Sequence, residues 1–312
     1  MPGPVEPFES GMLPVGDGNE AFWEASGNPT GKPALYLHGG PGSGIKTAYR
    51  KHFDPEKFLI VGIEQRGCGR SRPLATDPGA DLSTNTTQEL VADIEVLREH
   101  LQVRQWLLYG GSWGTTLALA YAQTHPDRVS EMILAAVTTT SSAEVAWITE
   151  DMGRVFPREW DQFADSAHAE PGERLVDAYH RLLTQPDPGV REAAALAWCT
   201  WEDVHMSLDP KATPHLQHQS PEFRLLFATL VTHYWRNAGF GGDDLLGRMD
   251  RIAGTPAVLI HGRLDVSSPL STAWNLAKAW PAAELVVVDQ DGHGGSGMVE
   301  EVDCAVARFA PE

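Results

Sequence analysis

Cysteine is scarce in this chain of 312 residues: only Cys68, Cys199 and Cys304 occur. An odd, widely spaced set without a C-x-x-C pair is neither a disulfide framework nor a thiolate metal site. A reduced, cytoplasmic setting is therefore expected. The N-terminal MPGPVEPFESGML has neither the basic nor the apolar region of a secretory signal. Long apolar runs are absent as well; no stretch approaches the roughly 18 residues of a spanning helix, so a membrane span is not expected. Positive charge is also in short supply. Lys and Arg number 24 against 42 Asp and Glu, for a net charge of −18. That field repels phosphate backbones and no basic cluster offsets it, which excludes nucleic acid as a partner. The sequence leaves the oligomeric state open.

The composition itself is that of a folded chain, 42% hydrophobic and 21% charged, which is incompatible with general disorder. At about 150 residues per domain the length suggests two units, or one large α/β unit with an insertion. Short apolar runs ending in glycine-rich loops open the chain: PALYLHGGPG at Pro33–Gly42 and FLIVGIEQRGCGRS at Phe58–Ser71. Such continuous runs suit strands of a parallel sheet covered on both faces. Leu90, Ile94, Leu97 and Leu101 share one face of a helix, with Thr86 and Glu89 as a capping box. WLLYGGSWG leads into an Ala/Leu-rich helix ending near His125-Pro126, and MILAAV (Met132–Val137) is a further strand. From Thr138 to about Phe240 only helical stretches are evident, before the alternation resumes with TPAVLIHGRLD, a helix near Thr272–Trp280, and AELVVVDQDGHGG. The expected fold is α/β, a mostly parallel twisted sheet flanked by helices. Its core spans residues 1–137 and 241–312, interrupted by a helical insertion over 138–240.

Gly110-Gly111-Ser112-Trp113-Gly114 matches G-x-S-x-G between a strand and a helix, the context in which that motif presents a strained nucleophilic serine. A serine hydroxyl needs a base to take its proton. Asp265 and His293 follow at successive later strand ends, in the order Ser, Asp, His. They are assigned as orienting acid and general base. Asp289 and Asp291 lie on the loop of His293 itself, which makes them poorer candidates for the acid. Among the remaining histidines, His215 and His218 are expected to be solvated, and His261 to be a hydrogen-bonded structural residue. Acyl transfer also needs fixed N–H donors for the oxyanion. The Trp113 amide supplies one, and the loop His38-Gly39-Gly40-Pro41-Gly42 sits where the second belongs. That loop is glycine-rich, but it lacks the Lys-Ser/Thr ending of a phosphate-binding loop.

HGGPG, EQRGCGRS, NTTQELVADIEVLREHL, GGSWGTTLALAYAQTHP, GRLD and DGHGG, taken in order over nearly the whole chain, resemble the proline iminopeptidase (prolyl aminopeptidase) family of α/β-hydrolases. GRVFPREW and AWCTWE resemble that family's helical cap. The resemblance implies a serine peptidase that releases an N-terminal proline or another small residue, with no metal and no cofactor. Its partner is a small peptide or aminoacyl substrate carrying a free amino group. It carries the triad onto Ser112, Asp265 and His293, and the oxyanion donors onto Gly40 and Trp113. Glu202 becomes the carboxylate that binds the substrate's amine, and Gly39 joins it at the substrate. An isolated reading of Glu202 would leave it a helix-surface glutamate.

Three positions depart from the family pattern. Val231-Thr232 precede His233-Tyr234 where a second acid is usual, Ala135 to Thr139 replace an Arg-Gly-aliphatic-Phe run, and Ser268-Pro269 replaces Cys-Pro. All three are expected to line or support the pocket for the first residue. They motivate an alternative, a diverted member acting on an aminoacyl amide, ester or lactone of a small molecule. A catalytically silent ligand receptor is disfavoured by the complete set of catalytic residues. Aspartate-nucleophile chemistry is excluded by a serine at position 112.

Overall fold

The computed structural model describes residues 5–206, 208 and 215–312. Eight strands form one sheet: β1 (Pro7–Gly16), β2 (Asn19–Gly27), β3 (Lys32–Leu37), β4 (Phe58–Ile63), β5 (Trp106–Gly111), β6 (Val129–Ala135), β7 (Ala257–Gly262) and β8 (Ala283–Val288). Their order is β1-β2-β4-β3-β5-β6-β7-β8. The β1–β2 and β2–β4 pairs are antiparallel and the rest parallel. FLIVGI and AVLIHG are buried at every position, as strands covered on both faces must be. The β1–β2 hairpin is an addition to the sequence expectation, which placed no element before Pro33. Its signal was the Gly16-Asp17-Gly18 turn, where all three residues have positive φ.

The helices α1 (Thr87–His100) and α2 (Trp113–Thr124) cross over between core strands. At the start of α1 the Thr86 hydroxyl accepts the Glu89 N–H at 3.2 Å. The Glu89 carboxylate faces Arg66 at 3.4 Å, so only half of the expected capping box is seen there. Between β6 and β7 no strand forms among the described residues. The chain runs through α3 (Ser142–Ala146), α4 (Pro157–Ala167), α5 (Leu175–Leu183), α6 (Pro188–His205), α7 (Pro221–Arg236) and α8 (Gly242–Leu245). Phe163, Tyr179, Trp198 and Trp201 form their packed centre, with Phe163 stacked on Tyr179 at 4.6 Å and on Trp201 at 5.2 Å. Helices α9 (Leu270–Ala279) and α10 (Ser296–Arg308) complete the fold. No helix of the described residues is long and apolar enough to cross a membrane.

Two close contacts set the position of the site. Gly114, on the first turn of α2, packs so near β3 that an added Cβ would fall on the Leu37 carbonyl oxygen. The second contact is ionic. Arg66, its side chain wholly buried, makes a two-pronged pair with Asp93 on α1, Nε to Oδ2 and Nη2 to Oδ1 each at 2.8 Å. It also donates to the Val15 and Thr84 carbonyls at 2.7 and 3.1 Å. The loop after β4 is thereby pinned between the hairpin and α1. Removing one partner of such a pair leaves an uncompensated buried charge. Asp93→Ala is expected to lower unfolding free energy by about 3–5 kcal/mol, as read by chemical denaturation. A change below about 1 kcal/mol would mean that the pair does not hold the loop.

Candidate active site

Ser112 joins β5 to α2 with φ 54° and ψ −127°, a conformation a non-glycine residue keeps only when its surroundings hold it. Its N–H donates to the Ala135 carbonyl at 2.9 Å, and its carbonyl accepts the Thr115 N–H at 2.7 Å. Asp265 lies beyond β7 and His293 beyond β8, at neighbouring strand ends. The structure brings the three together. His293 Nδ1 is 2.9 Å from Asp265 Oδ2, and His293 Nε2 is 2.9 Å from Ser112 Oγ. Asp265 Oδ1 accepts the Ser268 N–H at 2.8 Å. With Nδ1–H donating to the carboxylate, the lone pair of Nε2 faces the hydroxyl and can take its proton.

Burial works against charge on Asp265, but His293, His261 and the Ser268 N–H outweigh it and hold the carboxyl below its ordinary range. Burial likewise pulls His293 down, yet the Asp265 carboxylate, helped by Glu202, leaves the imidazole pKa above 6.5. The other candidates separate cleanly. His261 Nδ1 accepts the Val137 N–H at 3.0 Å and its Nε2–H donates to the Ser268 carbonyl at 2.7 Å. Asp289 pairs with Arg263 at the surface, and Asp291 accepts the Met298 N–H at 2.7 Å.

Trp113 is the first residue of α2, so its N–H is one of the four that a helix leaves without a carbonyl partner. Gly40, at φ 112°, bends the facing loop so tightly that a Cβ would lie 2.8 Å from the Ser43 nitrogen. A Cβ on Gly39 would come within 3.2 Å of that of Ser112. Gln65 joins the two loops. Its N–H donates to His38 Nε2 at 3.1 Å, its amide donates to the His38 carbonyl at 2.9 Å, and its Oε1 accepts the Trp113 indole N–H at 2.9 Å. Sequence reasoning missed this residue, although it sits inside the EQRG motif.

Glu202 is not a helix-surface glutamate; it is 6% exposed, on the inner face of α6. The Trp198 indole N–H donates to its Oε1 at 3.2 Å. Burial pushes its carboxyl up to about 7 against the opposing pull of His218 and His293. A cavity of about 130 Å³ lies between Glu202, Gly39, Gly40, Ser112, His218 and His293. His215 and His218 therefore do not behave as solvated residues. Asp203 accepts the His215 N–H at 3.0 Å and faces His218 Nδ1 at 2.8 Å, folding their segment back onto α6. A second cavity of about 30 Å³ beside Ser112 is lined by Trp113, Thr138, Ile148, Trp235 and Ser268. Val231 and Thr232 are buried in the helical packing, where the Thr232 hydroxyl donates to the Ala228 carbonyl at 2.8 Å. A third, of about 270 Å³, reaches Ser112 and His293 past Tyr36, Tyr109 and Met298.

Residues 32–296 match the model of the alpha/beta hydrolase fold family. Over 98% of its length the chain is 45% identical to a proline iminopeptidase of Xylella fastidiosa, covering 97% of that protein. It is 43% identical to the proline iminopeptidase of Arabidopsis thaliana, again over 98% of the chain and 80% of the relative. The chain belongs to the proline iminopeptidase family of α/β-hydrolases. Its fold is also that of the Mycobacterium smegmatis proline iminopeptidase structure, with a TM-score of 0.64 at 20% identity over 96% of this chain and 97% of that one.

The His293 environment is open to direct measurement. Ring-nitrogen NMR is expected to find His293 titrating above the ordinary histidine range and moving down in Asp265→Asn. No downward movement would dissociate that carboxylate from the imidazole.

Proposed function

We propose that the protein is a serine aminopeptidase that releases an N-terminal proline or other small residue through an acyl-enzyme. The single observation that carries this reading is the continuous Asp265–His293–Ser112 hydrogen-bond chain opening on a cavity that ends at the buried Glu202. Ser112 Oγ adds to the scissile carbonyl carbon as its proton passes to His293 Nε2. The oxyanion is held by the Gly40 and Trp113 amides. The carbon–nitrogen bond then breaks, and His293 gives its proton to the departing amine. Water repeats the sequence on the ester and regenerates Ser112.

Glu202 pairs with the substrate's ammonium and Gly39 flanks it, which selects for a free N-terminus. The cavity of about 30 Å³ takes a small first side chain, and the wider one past Tyr36 and Tyr109 leads the remaining peptide away. Residues 138–240 are read as a cap inserted into a core of 1–137 and 241–312, because Glu202 and Trp235 reach the nucleophile from that segment alone. The three unpaired thiols are consistent with a reducing, cytoplasmic compartment. Identity above 40% along the whole chain favours this peptide reading over a diverted small-molecule hydrolase.

Ser112→Ala is expected to reduce prolyl and alanyl arylamide hydrolysis by roughly 10³-fold or more; an alanine variant with parental activity would remove the mechanism. With alanyl arylamide, kcat/KM should rise with pH as Glu202 loses its proton at about 7 and His293 loses its own above the ordinary histidine range. It should fall again as the substrate amine deprotonates at about 8. Glu202→Gln is expected to raise KM and flatten the alkaline limb. Equal rates on free and N-acetylated substrates would eliminate amine recognition.

A further inference from the structure

Beside the Asp265–His293–Ser112 chain runs a second polar chain, Ser267–His205–Glu202, of which the reaction described above uses only Glu202. On α6, Trp198, Glu202 and His205 recur at helical spacing and share the buried face. The His205 side chain is wholly buried. Its Nδ1 lies 3.0 Å from Ser267 Oγ, and its Nε2 lies 3.5 Å from Glu202 Oε2. That Nε2 has no hydrogen-bond partner among the described residues. Glu202 Oε1 is already engaged by the Trp198 indole, so Oε2 is the oxygen left for a ligand and for His205. The ring is held edge-on against Trp201 at 5.5 Å.

We propose that His205 is a positioning residue for substrate-amine recognition: its Nε2–H steadies the ionised Glu202, and Ser267 fixes the tautomer that makes this possible. The proposal rests on the reading of Glu202 as the amine anchor. In this arrangement Ser267 donates its hydroxyl proton to Nδ1, which leaves the ring proton on Nε2, the nitrogen 3.5 Å from Glu202 Oε2. Burial, reinforced by His293, drives the His205 pKa down to about 3. The imidazole therefore stays neutral and acts as a fixed donor rather than a competing cation. When an ammonium enters, Glu202 gives its own proton to water and its carboxylate receives the ammonium N–H on one side and the imidazole N–H on the other. His218, Asp203 and His293 are the other titratable groups that act on Glu202. A donor that bonds only the charged form lowers a carboxyl pKa, so His205 opposes the upward push of burial. Ser267 is two residues beyond Asp265, which ties the amine anchor and the triad acid to one loop. The Trp147 indole further clamps that loop by donating to the Val266 carbonyl at 2.7 Å.

The test compares His205→Phe, His205→Gln, Ser267→Ala and Glu202→Gln in the full chain. Steady-state rates are measured between pH 5 and 9 on alanyl arylamide and on p-nitrophenyl acetate, an ester with no amine. His205→Phe is expected to raise KM for the arylamide about tenfold, the worth of one charge-assisted hydrogen bond. Its acid limb should move to higher pH while ester turnover changes less than about twofold. His205→Gln, which keeps an N–H donor, is expected to recover most of the loss. Ser267→Ala is expected to shift KM and the limb in the same direction by a smaller amount, and gives the answer should the phenylalanine variant fail to fold. Parental KM and acid limb in His205→Phe and Ser267→Ala would overturn the proposal, as would equal losses on both substrates. If Glu202→Gln alone loses amine selectivity, the anchor stands and the positioning role falls. If Glu202→Gln keeps it, the anchor itself is wrong.

Discussion

The strained turn at Ser112 is the constraint on which the rest depends. A β-strand can hand its chain to a helix this abruptly only if the flanking backbone packs without side chains, and Gly114 meets that demand against the Leu37 carbonyl. The turn lifts the hydroxyl above the sheet and points the first amide of α2 toward the same space. The loops after β3, β7 and β8 then converge on it, because those strands lie on either side of β5 in the parallel part of the sheet. A ligand site at the carboxyl ends of parallel strands is what this class of sheet favours.

Buried charge in the surrounding loops is compensated pair by pair rather than avoided. Glu24 lies between Arg50 and Arg70, Arg70 reaches Glu64 at 3.0 Å, and Arg66 is matched by Asp93. Such pairs contribute little net stability over an apolar replacement, but breaking one is costly. They fix the loop after β4 and, through Gln65, the spacing between the His38–Gly42 loop and α2. The overall excess of negative charge is a separate matter. It disposes the surface toward cationic or neutral ligands, whereas Glu202 is one specific carboxylate that burial pushes up to about 7.

The loop from Asp265 to Ser268 couples the two halves of the molecule. Asp265 accepts from His293, Ser267 contacts His205 on α6, Ser268 donates to the Val137 carbonyl at 2.6 Å, and Trp147 holds the Val266 carbonyl. The segment between β6 and β7 is thus tied to this loop at two points, His205 on α6 and Trp147 just after α3. The same loop carries Asp265, the partner of His293, so the two polar chains share one backbone support.

The sequence by itself determined the alternation of strand and helix, the place of Ser112 between a strand and a helix, and the order in which Asp265 and His293 follow it at later strand ends. These are legible because strand burial, the strand-to-helix turn at Ser112 and the glycines around it impose residue types on consecutive positions. The β1–β2 hairpin was not read, since β1 buries only Leu13 and Val15 while β2 buries the polar Glu24 and Ser26 beside Trp23 and Ala25, so neither shows the apolar–polar alternation that marks a strand. Glu202 could be named only through likeness to a family, because a single glutamate on a helix carries no local mark of its burial. His205, Ser267, Gln65 and the Asp203–His218 pair were invisible for the same reason: their partners lie 62, 62, 48 and 15 residues away along the chain or face them only after a loop folds back. Whether a histidine is solvated, a strut or a positioning group is decided by what packs against its two nitrogens. That is a property of the tertiary structure and has no counterpart in local sequence.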